Sequence, residues 1–145
     1  MKLFSSALES VFDNNIIMNN LIVDAAREKI FLAFIVNKDI YTGSHENSKS
    51  NFEKLMVLIN EFLENNKTSL DDISAIYVNR GPGSFAGIRN SLATIKALFL
   101  TKKIDYYCFS FEDFQESEAI KYVDVPQLCK KYKIKKNLIN PIYLS

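Results

Sequence analysis

The 145-residue sequence predicts an α/β fold, in which helices cover a mixed five-stranded sheet. Five short segments are dense in apolar and β-branched residues, as buried strands are. Two longer segments repeat apolar residues at the three- and four-residue spacing of a helix. They follow one another in the order three strands, helix, strand, helix, strand. That order favours a single layered sheet with helical cover.

The first half of the chain supplies three strands and a helix. The strands are expected at 21–24, 29–36 and 40–43, with a turn at 37–39 that lets the third return antiparallel to the second. A helix follows over 51–64, and Ser50 with Glu53 has the spacing of a capping box at its start. Its apolar arc is broader than one sheet face needs, so we expect deep burial or contact with a partner.

The second half centres on a longer helix over 85–100, between strands at 75–78 and 106–109. Ser84 is the expected cap of this helix. One side carries a large apolar stripe of Ile88, Leu92, Ile95 and Phe99. The nearly opposite side carries small residues, at Ala86, Asn90, Ala93 and Ala97. A helix with two packing faces belongs between two layers, and the order of elements is the outline of ribonuclease-H-like and actin-like ATPase half-domains.

Composition excludes several classes of site. Net charge is +1, so the whole-chain charge gives no argument for nucleic acid or membrane binding. The single histidine, His45, excludes a multi-histidine metal site, and the two cysteines form no CxxC pair. The longest apolar run, 30–36, is too short to span a bilayer, and no signal peptide is evident. We expect a cytoplasmic protein that needs neither metal nor cofactor.

The turn GPGSFAG, between a strand and a helix, has the position of a phosphate-binding loop. The dinucleotide spacing GxGxxG/A is met by Gly81, Gly83 and Ala86, with Asp105 further on, but Pro82 lacks an amide donor. A Walker loop would need a lysine after Gly87, where isoleucine stands. The simpler interpretation is a tight turn that requires glycine. Nucleotide binding at 81–87 is therefore kept as an alternative.

Two further functional interpretations were weighed. Asp24 ends the first strand, where a ribonuclease-H-like nuclease holds a carboxylate, but the fourth strand ends in Asn79-Arg80 and offers none. We expect Asp24 to cap its own turn. A basic run near the end of the chain could contact RNA phosphates, through Lys130, Lys131, Lys133, Lys135 and Lys136. Direct tRNA binding is the second alternative, against a solvated surface.

The run GPGSFAGIRNSLATIKAL resembles the signature of the TsaB family, close to GPGSFTGLRIGLATAKGL. The similarity extends over 18–114, with LIVDAAREKIFLAFI resembling the family's first two strands and an echo of its C-terminal PxYLR at 141–145. The matching signature residues are Gly81, Pro82, Gly83, Ser84, Phe85, Gly87 and Arg89. The resemblance implies an actin-like ATPase half-domain without catalysis of its own.

The resemblance also implies a role. TsaB proteins pair with TsaD, which transfers threonylcarbamoyl to N6 of adenosine 37 in tRNAs that read ANN codons. A TsaE-type ATPase is a further partner of that complex, tRNA is reached through it, and a homodimer is an alternative. The pairing surface implied here lies on the helices 51–64 and 85–100, at Leu55, Leu58, Ile59, Phe62, Asn90, Ala93 and Ala97.

Two departures from the family stand out. Ala25-Ala26 replace the family's usual Thr-Ser, so hydroxyls that would meet a phosphate are missing. The second subdomain is also reduced. We therefore expect a poorly ordered extension over 1–17, a TsaB-like domain over 18–114 and a short C-terminal segment over 115–145.

Overall fold

The computed structural model describes residues 18–143, so the extension expected over 1–17 lies outside the described residues. One mixed sheet has the strand order β3-β2-β1-β4-β5. Its strands are β1 (Asn19–Asp24), β2 (Lys29–Val36), β3 (Asp39–Glu46), β4 (Ala75–Asn79) and β5 (Asp105–Phe109). The helices are α1 (Lys49–Glu53), α2 (Leu55–Asn65), α3 (Phe85–Lys102) and α4 (Val125–Lys131). The predicted five-stranded mixed sheet is confirmed.

The strand β1 is the centre of the sheet, which explains the uninterrupted apolar run of Leu21, Ile22 and Val23 within it. It pairs antiparallel with β2 and parallel with β4, and both of its faces are covered. A strand buried on both faces has no polar side to alternate with. β3 continues the antiparallel side, with Ile30 opposite His45, and β5 continues the parallel side. The chain therefore changes from hairpins to helical crossovers after β3.

The helices α1, α2 and α3 cover one face of the sheet. That face buries a large apolar cluster from the strands, α2 and α3, against which Phe52 of α1 packs; the cluster includes Val23, Leu32, Ile59, Ile76, Ile88 and Ile95. Within α3, Ile88, Leu92 and Ile95 are buried as expected, while Phe99 is half-buried and meets Tyr106 edge-on at 5.7 Å.

The segment after β5 covers the opposite face of the same sheet. Ile22, Ala33, Ile35 and Tyr77 from the strands join Phe114, Val125, Leu128 and Cys129 in a second apolar cluster. Residues 114–134 therefore cover the second face of this sheet.

The structure corrects the expected helix over 51–64. It is broken at Lys54 into α1 and α2, and the N-cap of α1 is Ser48, whose hydroxyl accepts from the backbone amide of Asn51 at 3.3 Å. The capping box of Ser50 and Glu53 was wrong, because the helix begins before Ser50 and leaves its hydroxyl beyond the capping position. Across residues 18–143, no helix is long and apolar enough to cross a membrane.

Candidate functional site

The glycine turn lies where β4 ends and α3 begins, against the turn that joins β1 to β2. Ser84 caps α3 as expected, since its hydroxyl accepts from the amide of Gly87 at 3.1 Å. The Ser84 amide donates to the carbonyl oxygen of Ala26 at 2.9 Å. A Cβ built on Gly87 would lie 1.8 Å from the carbonyl oxygen of Ala25. Glycine is therefore required because two backbones touch, and the amides of Ser84 and Gly87 are already in use.

Gly81 brings a third segment to the same turn. Its φ of +111° is unfavourable for any residue with a side chain, and a Cβ there would lie 2.0 Å from the carbonyl oxygen of Ile142. We call residues 137–143 the strap. The strap runs beside the turn. The Ile142 amide donates to the backbone carbonyl oxygen of Arg80 at 2.7 Å, and the ring centroids of Tyr143 and Phe85 lie 4.7 Å apart. The glycine turn thus joins β1–β2, α3 and the strap.

Arg80 holds the strap in place. Its guanidinium donates to both carboxylate oxygens of Asp113, at 2.6 Å from Nη2 and 3.3 Å from Nε. Its Nη1 also donates to the carbonyl oxygen of Asn140 at 3.1 Å. Asp113 is fixed in turn by the amide of Ser110 at 2.8 Å. The largely buried pair therefore joins the end of β4 to the turn after β5 and to the strap.

Asp24 lies beside the turn, and both of its carboxylate oxygens already accept hydrogen bonds within the chain. It is 1% exposed, and one oxygen accepts from the amide of Ala26 at 3.1 Å, which confirms that it caps its own turn. The other accepts from the Tyr122 hydroxyl at 2.6 Å. Burial, together with the Asp24 carboxylate, raises the pKa of Tyr122 above its ordinary value, so this hydroxyl stays a donor. Within residues 18–143, no group of three potential metal ligands occurs.

An open cavity of about 680 Å³ lies next to Asp24. It is bounded by Ala26, Arg27, Lys29, Phe31, Gly83, Ser84 and Tyr122, among others. The Arg27 guanidinium lies 4.7 Å over the Phe111 ring and 3.9 Å from the Asp24 carboxylate. The other basic residue of the lining, Lys29, lies 3.8 Å from the Glu46 carboxylate, so both cations of the cavity already have an acidic neighbour.

The outer side of α3 carries the small residues that the sequence singled out. Ala93 and Ala97 are exposed, and Asn90 is half-buried with its amide donating to the Ala86 carbonyl at 2.8 Å. Phe85 and Leu100, at the two ends of the helix, are 56% and 60% exposed. This side of α3 therefore combines exposed apolar residues with the exposed Arg89 and Lys96, and the strap lies beside part of it.

The residues predicted to pair on α2 lie elsewhere. Leu55, Leu58, Ile59 and Phe62 are 1%, 4%, 0% and 8% exposed and belong to the core beneath the helices. The broad apolar arc of α2 is used by the sheet and by α3, so these four side chains offer no direct contact to a partner. What α2 exposes is Val57, at 50%, among polar neighbours.

The lysine run is part of the folded chain. Lys131 pairs with Glu116 at 2.8 Å, and Lys136 approaches Asp105 at 3.5 Å. Between them Tyr132 packs on the second cluster. Lys130, Lys133 and Lys135 are exposed and enter no ion pair with any of residues 18–143. The run therefore presents separated charges, two of them partly neutralised.

Neither cysteine has the environment of a nucleophile. Cys108 and Cys129 are free and buried, and burial raises their pKa from 9.0 to about 11 and about 12. At neutral pH both are thiols, which are poor nucleophiles.

Sequence reasoning missed the strap and the Arg80–Asp113 pair. The resemblance at 141–145 is local, and nothing in it predicts that residues 141–143 lie beside the glycine turn. At the end of β4, the sequence indicated only that Arg80 stands where a nuclease would hold a carboxylate. The available signal was that a glycine at 81 needs a close backbone neighbour, and Ile142 is that neighbour.

Comparison with known proteins finds sequence similarity to the TsaD family model and to proteins named TsaB. Residues 45–110 match the family model of TsaD, described as tRNA N6-adenosine threonylcarbamoyltransferase. Two curated proteins named tRNA threonylcarbamoyladenosine biosynthesis protein TsaB are similar in sequence, both from Buchnera aphidicola. The one from subspecies Schizaphis graminum is 31% identical over 62% of this chain and 43% of its own length. The one from Baizongia pistaciae is 35% identical over 50% of this chain and 38% of its own.

Solved structures confirm the fold. YeaZ from Pseudomonas aeruginosa superposes with a TM-score of 0.59 and 19% identity, over 64% of this chain and 44% of YeaZ. The resemblance to TsaB is thus confirmed in sequence, and the actin-like, ribonuclease-H-like half-domain in structure. The chain spans less than half the length of the curated relatives it matches.

Proposed function

We propose that this chain is a non-catalytic partner subunit of a TsaD-type transferase, in the cytoplasmic formation of threonylcarbamoyladenosine in tRNA. The similarity to proteins named TsaB supports the pathway. The observation that carries the partner role is the outer side of α3, where Ala93 and Ala97 are exposed between the exposed Phe85 and Leu100. Exposed apolar surface of this kind marks protein contacts.

The small residues explain how a partner would approach. Alanine side chains let another backbone come close to the axis of α3, while the large apolar side chains of the same helix hold it to the sheet. Binding would favour the transferase's productive state only if the chain binds that state more tightly. The proposed role is therefore to bind the productive state of the transferase more tightly than its other states. The tRNA is contacted through the complex.

The two alternatives have less support. Nucleotide binding at the glycine turn would use amides that Ala26 and Ser84 already engage. Direct tRNA binding would use a lysine run in which Lys131 and Lys136 face carboxylates.

The test is co-expression with the TsaD-type protein of the same organism, followed by gel filtration. We expect one peak that contains both proteins. Ala93→Arg should separate them, because a long charged side chain would stand where the backbones meet. The matched control is Ala119→Arg, an exposed alanine in the segment that covers the other face of the sheet.

Two results decide the proposal. A complex that forms equally well with Ala93→Arg would remove α3 as the pairing surface. Separate peaks for the unaltered proteins, together with no gain of threonylcarbamoyladenosine in the tRNA of a strain that lacks its own TsaB, would overturn the partner role. The modified nucleoside is measured by mass spectrometry of digested tRNA.

A further inference from the structure

The two edges of the sheet differ in whether the chain covers them. At the β5 edge, Asn137 of the strap donates its amide to the Tyr106 carbonyl at 2.7 Å and accepts from the Tyr106 amide, through its side-chain oxygen, at 2.9 Å. At the other edge, no strand among residues 18–143 pairs with the outer side of β3. The β3 edge therefore leaves backbone groups available to another chain.

The sequence of β3 lacks the features with which proteins protect an open edge. Its eight residues, DIYTGSHE, contain neither lysine nor proline, and carboxylates stand only at the two ends. They pair with β2 one to one, without a bulge. Ile40 and Tyr41 are 37% and 47% exposed. A regular edge of this kind is able to accept a further strand.

The contacts at the end of β3 show which of its backbone groups point outward. The Glu46 carbonyl accepts from the Ser48 amide at 3.0 Å and from the Asn51 side-chain amide at 2.8 Å, so it points away from β2. Backbone groups of an antiparallel strand alternate between its two sides. Every second residue before Glu46 therefore also points its amide and carbonyl outward, namely Ser44, Thr42 and Ile40.

We propose that β3 pairs with β3 of a second copy of this chain, antiparallel and with Thr42 on the two-fold axis. The two five-stranded sheets then join edge to edge. This register aligns the outward-pointing residues of both copies, Thr42 with Thr42 and Ile40 with Ser44. The contact uses no residue of α3, so it is independent of the proposed pairing with a TsaD-type protein.

Charge favours a second copy as the occupant and selects this register. A two-fold contact needs a surface that is complementary to itself. With Thr42 on the axis, Asp39 of one copy lies opposite His45 of the other, and the pair occurs twice. The carboxylate accepts a hydrogen bond from the imidazole, and a cross-strand pair of this kind is stabilising. The other registers that align outward-pointing residues do not bring Asp39 and His45 together.

The shape of the edge supports the same register. Tyr41 of one copy lies opposite Gly43 of the other, on the side of the sheet that α2 covers. A groove of about 370 Å³ opens there between β3 and α2, and its lining includes Gly43 and Phe62. An aromatic ring opposite a glycine on a neighbouring strand covers the backbone that the glycine leaves exposed. The Tyr41 ring of the second copy therefore has a groove beside it to fill.

The first experiment is sedimentation equilibrium of the full chain alone, over a range of concentrations. We expect a monomer–dimer equilibrium. Asp39→Lys should raise the dissociation constant about tenfold, because both copies of the pair with His45 become unfavourable. Adding His45→Asp should restore the dimer, because the charges are then exchanged across the same pair. The matched control is Glu28→Lys, the same change of charge at an exposed residue of the β1–β2 turn, which should dimerise as the unaltered chain does.

A second experiment tests the register. Thr42→Cys would place two thiols on the axis, with Cα atoms about 5.5 Å apart, which a disulfide spans. Mild oxidation should therefore link two chains covalently. Ile40→Cys is the control, since its two copies would lie about 14 Å apart along the strands. The native Cys108 and Cys129 are buried.

Four outcomes decide the proposal. Restoration of the dimer by the exchanged pair, with a covalent link from Thr42→Cys alone, would support it. A chain that stays monomeric at every concentration would overturn it, and so would Ile40→Cys linking as readily as Thr42→Cys. A dimer lost with Ala93→Arg but unaffected by Asp39→Lys would show that the copies meet at α3. Circular dichroism checks that each variant keeps its fold, which we expect because Asp39 and Thr42 are exposed.

Discussion

The helices α2 and α3 were both expected to carry a pairing surface, and the structure separates them. α2 turns its large side chains inward, with Leu55 and Ile59 at 1% and 0% exposed. α3 buries large side chains too, but its other side shows Ala93 and Ala97 to solvent. The difference indicates that a broad arc of leucine and isoleucine means a deeper core, whereas a separate stripe of small residues means a surface open to approach.

The physical reason lies in what covers each helix. α2 meets both the sheet and α3, so an arc wider than one sheet face is used within the chain. α3 already has the sheet on one side and α1 and α2 beside it, and the strap lies beside its outer side. The width of an apolar arc on a helix therefore indicates how many other elements the helix packs against, but not whether those elements belong to the same chain.

The largest effect is expected in the core beneath α2. Ile59→Ala should lower the free energy of unfolding by about 2–5 kcal/mol, because the side chain is fully buried and leaves a cavity. Val57→Ala, two residues away and half-exposed, should change it by less than about 0.5 kcal/mol. Urea unfolding measures both. A small effect at Ile59 would mean that the inner side of α2 is loosely packed, and the comparison would lose its basis.

The next effect concerns how α3 is anchored. Gly87→Ala should destabilise by about 1–3 kcal/mol, because its Cβ would meet the carbonyl oxygen of Ala25, which belongs to a backbone that cannot move aside. Gly43→Ala is the matched change, since its Cβ would meet only the Phe62 ring at 3.1 Å. We expect a smaller loss there. Equal losses in thermal unfolding would contradict the close approach as the reason for glycine.

Sequence alone predicted the sheet well, because its signals are local. The apolar runs of β1 and β2, the turn between β2 and β3 and the cap at Ser84 each depend on neighbours within a few residues. The strap, by contrast, meets Arg80 from about sixty residues away. No local pattern encodes a contact of that separation.

The candidate site was predicted in part for the same reason. Spacing placed Ala93 and Ala97 on one side of a helix and predicted a second packing layer there, whereas both side chains are exposed in the part of the chain that the structure describes. Spacing could not show that Leu58 and Phe62 would be covered by the same chain, since burial depends on how α2 and α3 are arranged in space. Which of these residues meet a partner stays a prediction.

The strap beside α3 gives a third prediction of intermediate size. Arg80→Ala should lower stability by about 1–3 kcal/mol, because Asp113 would lose two donors in a largely buried position. It should also loosen the strap, since the contact with the Asn140 carbonyl disappears. Hydrogen exchange should then be faster at the amide of Ile142. Unchanged exchange there would mean that the glycine turn holds the strap without Arg80.

The smallest change in the free energy of unfolding is expected at Ala97, on the outer side of α3 where we propose that the partner binds. Ala97→Leu should change the free energy of unfolding by less than about 0.5 kcal/mol, because the side chain would extend from the open side of α3 into solvent. Leu98→Ala, one residue further on, removes a side chain that is 3% exposed and should cost about 2–5 kcal/mol. In the binding assay Ala97→Leu should still weaken the complex, since added bulk keeps the partner's backbone at a distance. If Ala97→Leu instead destabilised the isolated chain by more than about 1 kcal/mol, that side of α3 would be covered within the chain, and α3 would be no more available to a partner than α2 is.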